Sequence, residues 1–303
     1  MATSPGLQEK RHRGARKQEM TTDSDPSQSV IKALEHYESQ DADQFYLRVW
    51  AGEDIFIGIG LYETVGDSVY NACRATVAKM AALLHHRRPG TRGLELGSGY
   101  GAAARYLVKE LGFQIDCLNL SLVQNIQNRQ INQARSLEDR IRVVEGSFED
   151  IPFGAASYEV VWSQDSFIHS ANRRRALDEV GRVIKPGGDF VFTDLIQQED
   201  CPPEVLEPVL ARFHLDSLGT VKFYREAAIE LGWHELQVID LSGHLVTHYE
   251  RLLQELEQRY ENLLGEFSEE YLKGVRHGIQ NWVSAGKEGH LKWAMFHYRE
   301  GSP

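Results

Sequence analysis

Gly93-Leu94-Glu95-Leu96-Gly97-Ser98-Gly99-Tyr100-Gly101 is the stretch whose reading decides the fold. A short apolar run breaks into three glycines at alternate positions, and a helical pattern starts at about Ala102. Such glycines admit positive φ and let a bulky ligand lie against bare main chain. The first N–H groups of the helix point at the same place. This is the first strand and first turn of a nucleotide-binding α/β domain. Gly97, Gly99 and Ala102 also fit a dinucleotide fingerprint loosely, so the acid in front of them carries more information. Glu95, two residues before Gly97, can accept hydrogen bonds from or attract a cationic group, whereas a site for an anionic pyrophosphate gains nothing from it.

Outward from this turn, strand and helix patterns alternate. Strands are predicted near 93–96, 115–120, 141–144, 158–162 and 189–194, with helices near 102–111, 122–134 and 173–183, which makes a parallel sheet with crossovers on both faces. Lys185-Pro186-Gly187-Gly188 reads as a turn that stops a helix and starts a strand. Two further strands are predicted at about 235–240 and 293–298. The helical stretch between them, 243–290, is too long for a simple connection and reads as a lid.

Toward the N-terminus, residues 1–28 are polar, carry the basic run Lys10-Arg11-His12-Arg13-Gly14-Ala15-Arg16-Lys17, and read as a disordered tail without a secretory core. An Arg-rich transit peptide is the alternative. A helix through Val30, Leu34 and Tyr37 follows, then an aromatic segment from Asp43 to Asp54, then a helix over 68–84. The chain has 303 residues, 42% of them hydrophobic, and a formal net charge of -11. That suits one large domain and a small-molecule enzyme, and disfavours nonspecific binding to nucleic acid or acidic membranes. Cys73, Cys117 and Cys201 match neither a zinc spacing nor a paired framework, and no apolar run is long enough to span a membrane. A reduced, cytoplasmic setting is the simple expectation.

At this point the motifs carry a resemblance. The run from Glu95 to Gly101, Pro152-Phe153 after Gly146-Ser147-Phe148-Glu149-Asp150, and Lys185-Pro186-Gly187-Gly188 resemble the successive motifs of class I S-adenosylmethionine-dependent methyltransferases over about residues 90–195. A closer resemblance spans most of the chain. Phe45-Tyr46-Leu47-Arg48-Val49-Trp50-Ala51-Gly52-Glu53-Asp54-Ile55, Asn119-Leu120-Ser121, Trp162-Ser163-Gln164-Asp165 with His169, and His248-Tyr249 resemble the sarcosine/dimethylglycine N-methyltransferases that make glycine betaine. Those enzymes are similar to phosphoethanolamine and tocopherol methyltransferases. The resemblance implies a Rossmann-like class I α/β fold with a mainly parallel sheet and helices on both faces. It implies S-adenosylmethionine as cofactor, S-adenosylhomocysteine as product, no metal, and a small-molecule amine as substrate. The methyltransferase domain would span 29–303, with a substrate segment at 29–90, a cofactor core at 91–195 and a helical lid at 243–290. Monomer and homodimer both stay open. One departure is Phe56-Ile57-Gly58-Ile59-Gly60-Leu61-Tyr62, which stands where the family has a shorter His-Ile-Gly-Leu-Tyr run, so no histidine role carries over there.

The candidate cofactor residues are Glu95, Gly97, Ser98, Gly99, Gly101, Asn119, Leu120, Gln124, Ser147, Phe148, Glu149 and Gln164. Asn119 offers an amide oxygen where many class I members carry a ribose-binding acid, or else caps the helix at Leu122. Phe148 covers an adenine ring or belongs to the core, and Glu149 or a backbone amide reads the adenine amino group. Asp165 and His169 follow the fourth strand at its carboxyl end, where open α/β sheets bind ligands. Four residues apart on a starting helix, they would share a face. The resemblance puts Asp165 by the methionine part of the cofactor or the substrate cation, and His169 by the amine, as the catalytic pair. A quaternising amine cannot donate hydrogen bonds, so aromatic faces suit it. Tyr46, Trp50, Tyr249 and Trp293 are the candidates, each alternatively core. Arg48 and Arg225 are candidates for a substrate carboxylate. The expected reaction is direct displacement at the sulfonium methyl on sarcosine and dimethylglycine. The rivals are methylation of phosphoethanolamine or of a tocopherol-type ring, and a non-catalytic cofactor-binding regulator.

Overall fold

The computed structural model describes residue 1, residues 54–211 and residues 215–301. The expected tail, the helix through Val30, Leu34 and Tyr37, and the candidates Tyr46, Arg48 and Trp50 lie outside the described residues. From Asp54 an apolar strap with glycines at 58 and 60 leads into α1 (Val69–Ala82), which Ser68 caps by accepting from the Asn71 amide. The strap is followed by β1 (Arg92–Leu96), α2 (Ala102–Leu111), β2 (Gln114–Asn119), α3 (Leu122–Ala134) and β3 (Ile141–Glu145). Next come β4 (Tyr158–Gln164), a single 3-10 turn (Phe167–His169), α4 (Arg173–Val183) and β5 (Ile184–Gln197). The helices fall where the apolar period puts them, because their stops are local: Gly112, at φ +70°, ends α2 in the left-handed conformation that glycine adopts without strain.

Past β5, α5 (Pro203–Ala211) and α6 (Val221–Glu230), which the sequence reading did not separate out, precede β6 (Trp233–Asp240). The insertion then forms two helices that pack on each other, α7 (Ser242–Leu263) and α8 (Glu269–Lys287), before β7 (Leu291–Glu300) enters the sheet between β5 and β6. Strand order is β3-β2-β1-β4-β5-β7-β6 in one sheet of seven strands. The first five strands pair in parallel, and β7 runs antiparallel to both β5 and β6. This is the Rossmann-like class I methyltransferase fold. The central strands are apolar on both faces, as in sheets covered on both sides: in β4, Val160 and Trp162 join one core and Val161 the other. Phe192 stacks on Phe190 at 4.5 Å and on Phe296 at 4.6 Å between centroids, tying β5 to β7 across the antiparallel junction.

Two local expectations change. Lys185-Pro186-Gly187-Gly188 is carried within β5 rather than before it: Tyr158 pairs with Ile184 but Val160 pairs with Asp189, so the extra residues bulge out of the ladder, with Gly187 at φ +71°. Asp165 does not share a helical face with His169. It sits at φ +50°, a left-handed conformation that ends β4 before the 3-10 turn begins, while His169 closes that turn by donating its amide to Ser166 O at 3.1 Å. No described helix is long and apolar enough to cross a membrane.

Candidate active site

The carboxyl ends of β1, β2 and β4 open into one cavity, where the order of the sheet reverses direction about β1. It holds about 970 Å³ of non-atom space with its open mouth included. On one side lies the glycine turn. Gly97 (φ +67°), Gly99 (φ +51°) and Gly101 (φ +75°) are all left-handed. The amides of Gly97 and Ser98 donate to Leu118 O at 2.8 and 3.2 Å, which pins the turn to β2. A Cβ on Gly97 would lie 2.4 Å from Ser166 Oγ and one on Gly101 2.2 Å from Asn128 Oδ1, whereas one on Gly99 would meet nothing nearer than Gln124 Oε1 at 4.0 Å. Gly99 is therefore the place where bare main chain faces open space. Gly97 lines the cavity too, but Gly101 does not; it serves the packing of α2 on α3.

Glu95 is buried at the cavity wall, and its Oε2 accepts from the Ala104 amide at 3.1 Å. Burial pushes its carboxyl up to about 8, against the pull of Arg105. Arg105 itself lies behind the glycine turn. It donates to Tyr100 O, to Asn128 and Asn132, and at 2.7 Å to Asp54 Oδ2. Asp54 also accepts from Arg135 at 2.7 Å, and these guanidinium partners hold its carboxyl below the usual range although burial pushes the other way.

Asp54 opens the strap, whose next residues, Ile55, Phe56, Ile57 and Gly58, form the opposite wall. The sequence places this run in the expected substrate segment, with Ile55 ending the stretch that resembles the family and Phe56 opening the departure from it, but names none of these residues as a site residue. The signal for its position is the glycine pair in an apolar run, which marks close backbone approach: a Cβ on Gly58 would lie 2.8 Å from Gln164 Nε2, and one on Gly60 2.5 Å from the Cβ of Ala72. Beyond the wall the strap is fixed at successive points. Thr76 Oγ1 donates to Ile59 O at 2.7 Å, the Gly60 amide donates to His248 Nδ1 at 3.2 Å, and the Tyr62 amide donates to His244 Nδ1 at 3.2 Å. Burial pushes the His248 imidazole down to about 3, so its ring is neutral and its Nδ1 can accept. The insertion thus reaches the cavity through the strap: among the described residues, no side chain from 243–290 lines it.

Of the predicted cofactor residues, Glu95, Gly97, Ser98, Gly99, Asn119, Leu120, Gln124, Phe148 and Gln164 line this cavity together. Asn119 Nδ2 donates to Gln124 Oε1 at 3.1 Å, while the cap of α3 is Ser121, whose Oγ accepts from the Gln124 amide. Phe148 makes an edge-to-face contact with Phe167 at 5.4 Å between centroids, and the residue still reaches the cavity. Gln164 Nε2 is buried with no hydrogen-bond partner among the described residues. Ser147 and Glu149 do not line the wall. Glu149 Oε1 instead accepts from Ser170 Oγ at 2.6 Å and from the Asn172 amide at 2.9 Å, which fastens the approach to α4.

Asp165 and His169 both line the cavity. The Asp165 amide donates to Thr193 O at 3.0 Å, its Oδ2 accepts from the Ile59 amide at 2.9 Å, and its Oδ1 accepts from Trp293 Nε1 at 2.8 Å. Its remaining exposure is to the cavity. Enclosure raises its carboxyl above the ordinary value, against these donors. The two described aromatic-cage candidates are elsewhere. Tyr249 is buried and stacks on Trp282 at 5.1 Å in the core of the insertion, and Trp293 is fully buried behind Asp165. Arg225 pairs with Glu235 at 2.8 Å on the surface. Residues that the sequence reading missed are the strap, Tyr100, Ala102, Ala103, Ser121, Gly146 and Ser166. Their main signal was adjacency to the recognised motifs.

The described wall holds two carboxylates and no arginine or lysine. Such a cavity favours a cationic ligand and penalises an anionic one. Comparison with known proteins agrees in kind. A family described as a methyltransferase domain matches residues 94–192. The chain is 50% identical over 269 residues to a sarcosine/dimethylglycine N-methyltransferase of Aphanothece halophytica, covering 89% of this chain and 96% of that one. It is 41% identical to the enzyme of the same name from Halorhodospira halochloris, covering 90% of this chain and 98% of that one. A crystal structure from Galdieria sulphuraria, provisionally assigned as a sarcosine dimethylglycine methyltransferase, superposes with a TM-score of 0.82 at 35% identity, covering 88% of this chain and 99% of that one.

Proposed function

Because this chain belongs to the sarcosine/dimethylglycine N-methyltransferase family, we propose that it transfers methyl groups from S-adenosylmethionine to sarcosine and dimethylglycine, giving glycine betaine. The observation that carries the reading in this molecule is the pair Glu95 and Asp165 on a wall that, among the described residues, has no arginine or lysine. Bound S-adenosylmethionine supplies a methyl on a cationic sulfonium, beside a cationic ammonium. Bare backbone at Gly99 and Gln164 Nε2, unpartnered among the described residues, fit such a ligand. Asn119 and Gln124 are assigned to its ribose, and Phe148 to its adenine.

The chain's own contribution to the chemistry is positioning and proton handling. An alkylated amino acid is mostly protonated at neutral pH, and only the neutral amine is a nucleophile. His169, on the cavity wall, is assigned to take that proton, directly or through water. Asp165 offers negative charge to the cationic centres, and the apolar strap excludes water from them. The acceptor's carboxylate needs a cation. Of the two candidates, Arg225 is engaged with Glu235 at the surface and Arg48 lies outside the described residues. A phosphorylated acceptor would need several cations where the described wall has none.

The reading is tested by incubating wild-type protein and His169→Ala with S-adenosylmethionine and glycine, sarcosine, dimethylglycine or phosphoethanolamine, followed by mass spectrometry. Wild type is expected to convert sarcosine and dimethylglycine. His169→Ala is expected to lose about a hundredfold in rate with little change in cofactor affinity, and to lose the rise in rate toward alkaline pH. Methylation of phosphoethanolamine alone would refute the acceptor assignment, and cofactor binding without transfer to any amine would favour a regulatory role.

A further inference from the structure

We propose that Trp293, which does not reach the cavity, is a positioning residue of the site: its indole N–H holds the Asp165 carboxylate aimed at the cavity and ionised, so that strand β7 sets the negative charge offered to the cofactor's sulfonium. The proposal rests on the methyl-transfer reading for its ligand. The geometry rests on neither ligand nor family.

Asp165 is the point where three separate parts of the chain meet. Its backbone is fixed in the left-handed region, at φ +50°, by its amide on Thr193 O of β5. A non-glycine residue kept there at an energetic cost is a constraint of the kind found at functional sites. Each carboxylate oxygen then has one neutral donor, the Ile59 amide of the strap on Oδ2 and the Trp293 indole on Oδ1. Among the described residues, no arginine or lysine acts on it. The titratable groups around it are His169 and Glu95 on the same cavity wall and Asp194 on β5, whose carboxyl is pushed up by burial and, to a lesser degree, by repulsion from Asp165. The ionised form is therefore disfavoured by enclosure and upheld by neutral donors, the Ile59 amide, the Trp293 indole and the Thr193 side chain. Hydrogen bonds to a charged group are about twice as strong as neutral ones.

Trp293 is built to deliver one of them. Indole nitrogen is a donor only, so it favours the ionised carboxylate and cannot serve as an acceptor for the protonated one. The residue is fully buried, pairs with Leu195 of β5 across the ladder, and is held at its backbone by α7: its amide donates to Ser242 Oγ at 3.3 Å and its carbonyl accepts from the Leu241 amide at 2.8 Å. The indole direction is thereby fixed from behind. A phenyl ring supplies most of the same packing without the N–H.

The experiment compares wild type, Trp293→Phe and Asp165→Asn in calorimetric binding of S-adenosylmethionine and of the uncharged thioether S-adenosylhomocysteine between pH 5.5 and 8.5. In wild type, preference for the sulfonium ligand should weaken toward low pH as Asp165 takes up a proton. In Trp293→Phe that weakening should occur at higher pH, with the preference lower by about tenfold at neutral pH and restored toward wild type at the alkaline end. Asp165→Asn should show the low preference throughout. A second readout needs no cofactor. The 15N indole resonance of Trp293, identified by its loss in Trp293→Phe or Trp293→Tyr, should titrate in wild type and stop titrating in Asp165→Asn. A wild-type pH dependence of the preference in Trp293→Phe, or an indole resonance that Asp165→Asn leaves unmoved, overturns the proposal. If wild type binds neither ligand, the methyl-transfer reading fails, and the indole titration still decides whether Trp293 controls the Asp165 charge.

Discussion

Two stretches of chain wall the cavity, Gly97–Tyr100 and Ile55–Gly58, and they are held in place by opposite kinds of interaction. The glycine turn closes on itself and on the next strand, through the Gly101 amide on Ser98 O at 2.8 Å and the Gly97 and Ser98 amides on Leu118 O. Its shape follows from glycines that tolerate φ near +60°. The strap has no such internal rule. It depends on side chains far along the chain: Arg105 and Arg135 for Asp54, Asp165 for Ile59, Thr76 for Leu61, His248 for Gly60 and His244 for Tyr62. One wall is a property of a motif, and the other exists only once the domain has folded around it. Damage to the first should therefore appear in ligand affinity, and damage to the second in stability as well.

The largest effect is expected from Asp54→Ala. It removes the carboxylate from Arg105, a guanidinium that is 3% exposed, and a buried charge that loses its partner costs about 3 kcal/mol or more. Chemical denaturation should show that loss, and calorimetry should show weakened cofactor binding with it. An unchanged denaturation midpoint would mean that the strap does not depend on this ion pair. Gly99→Val tests the other wall. A branched side chain would stand in the open space that backbone now faces, so S-adenosylmethionine affinity should fall by about a hundredfold. The φ of +51° should cost about 1–2 kcal/mol of stability without loss of the fold. Equal affinity in wild type and variant would place the cofactor elsewhere.

The smallest effect is a fraction of a proton. In the ligand-free protein the Glu95 carboxyl is pushed up to about 8 by burial, so at neutral pH it mostly holds its proton. A bound cation favours the charged form, and binding should release part of one proton at pH 7. Calorimetry in two buffers of different ionisation enthalpy reads this directly. The same group gives a sign for stability. A folded-state value above the unfolded one stabilises the empty protein fully below the ordinary carboxyl range, and that contribution is lost as pH rises toward about 8. Excess cofactor should flatten that decline. Proton uptake on binding would reverse the assignment of Glu95 as the group facing a cation.

The contrast between the walls also explains which readings succeeded. The bounds of α2, α3 and α4 were legible because each is written locally, by apolar period and by stops such as Gly112. The cavity's recognised core, from Glu95 to Gln164, was legible for the same reason: these residues follow strand ends, and strand ends in an open sheet gather at one edge. Glu149 was misplaced because an acid after a strand is equally suited to cap a loop, and only the position of Ser170 and Asn172 decides between the two. Tyr249 and Trp293 failed as cage candidates because an aromatic residue serves packing and recognition alike.

By itself, then, the sequence determined the alternation of strands and helices, the glycine turn and the family, since each rests on patterns that span a few residues or recur in fixed order. Tertiary structure decided what those patterns face. It brought the strap to the cavity, set the Ile59 amide and the Trp293 indole on Asp165 from 106 and 128 residues away, and put Arg105 behind the turn as the partner of Asp54. The physical reason is that a charge in a low-dielectric wall is governed by the few donors that reach it, and chain distance says nothing about which donors those are.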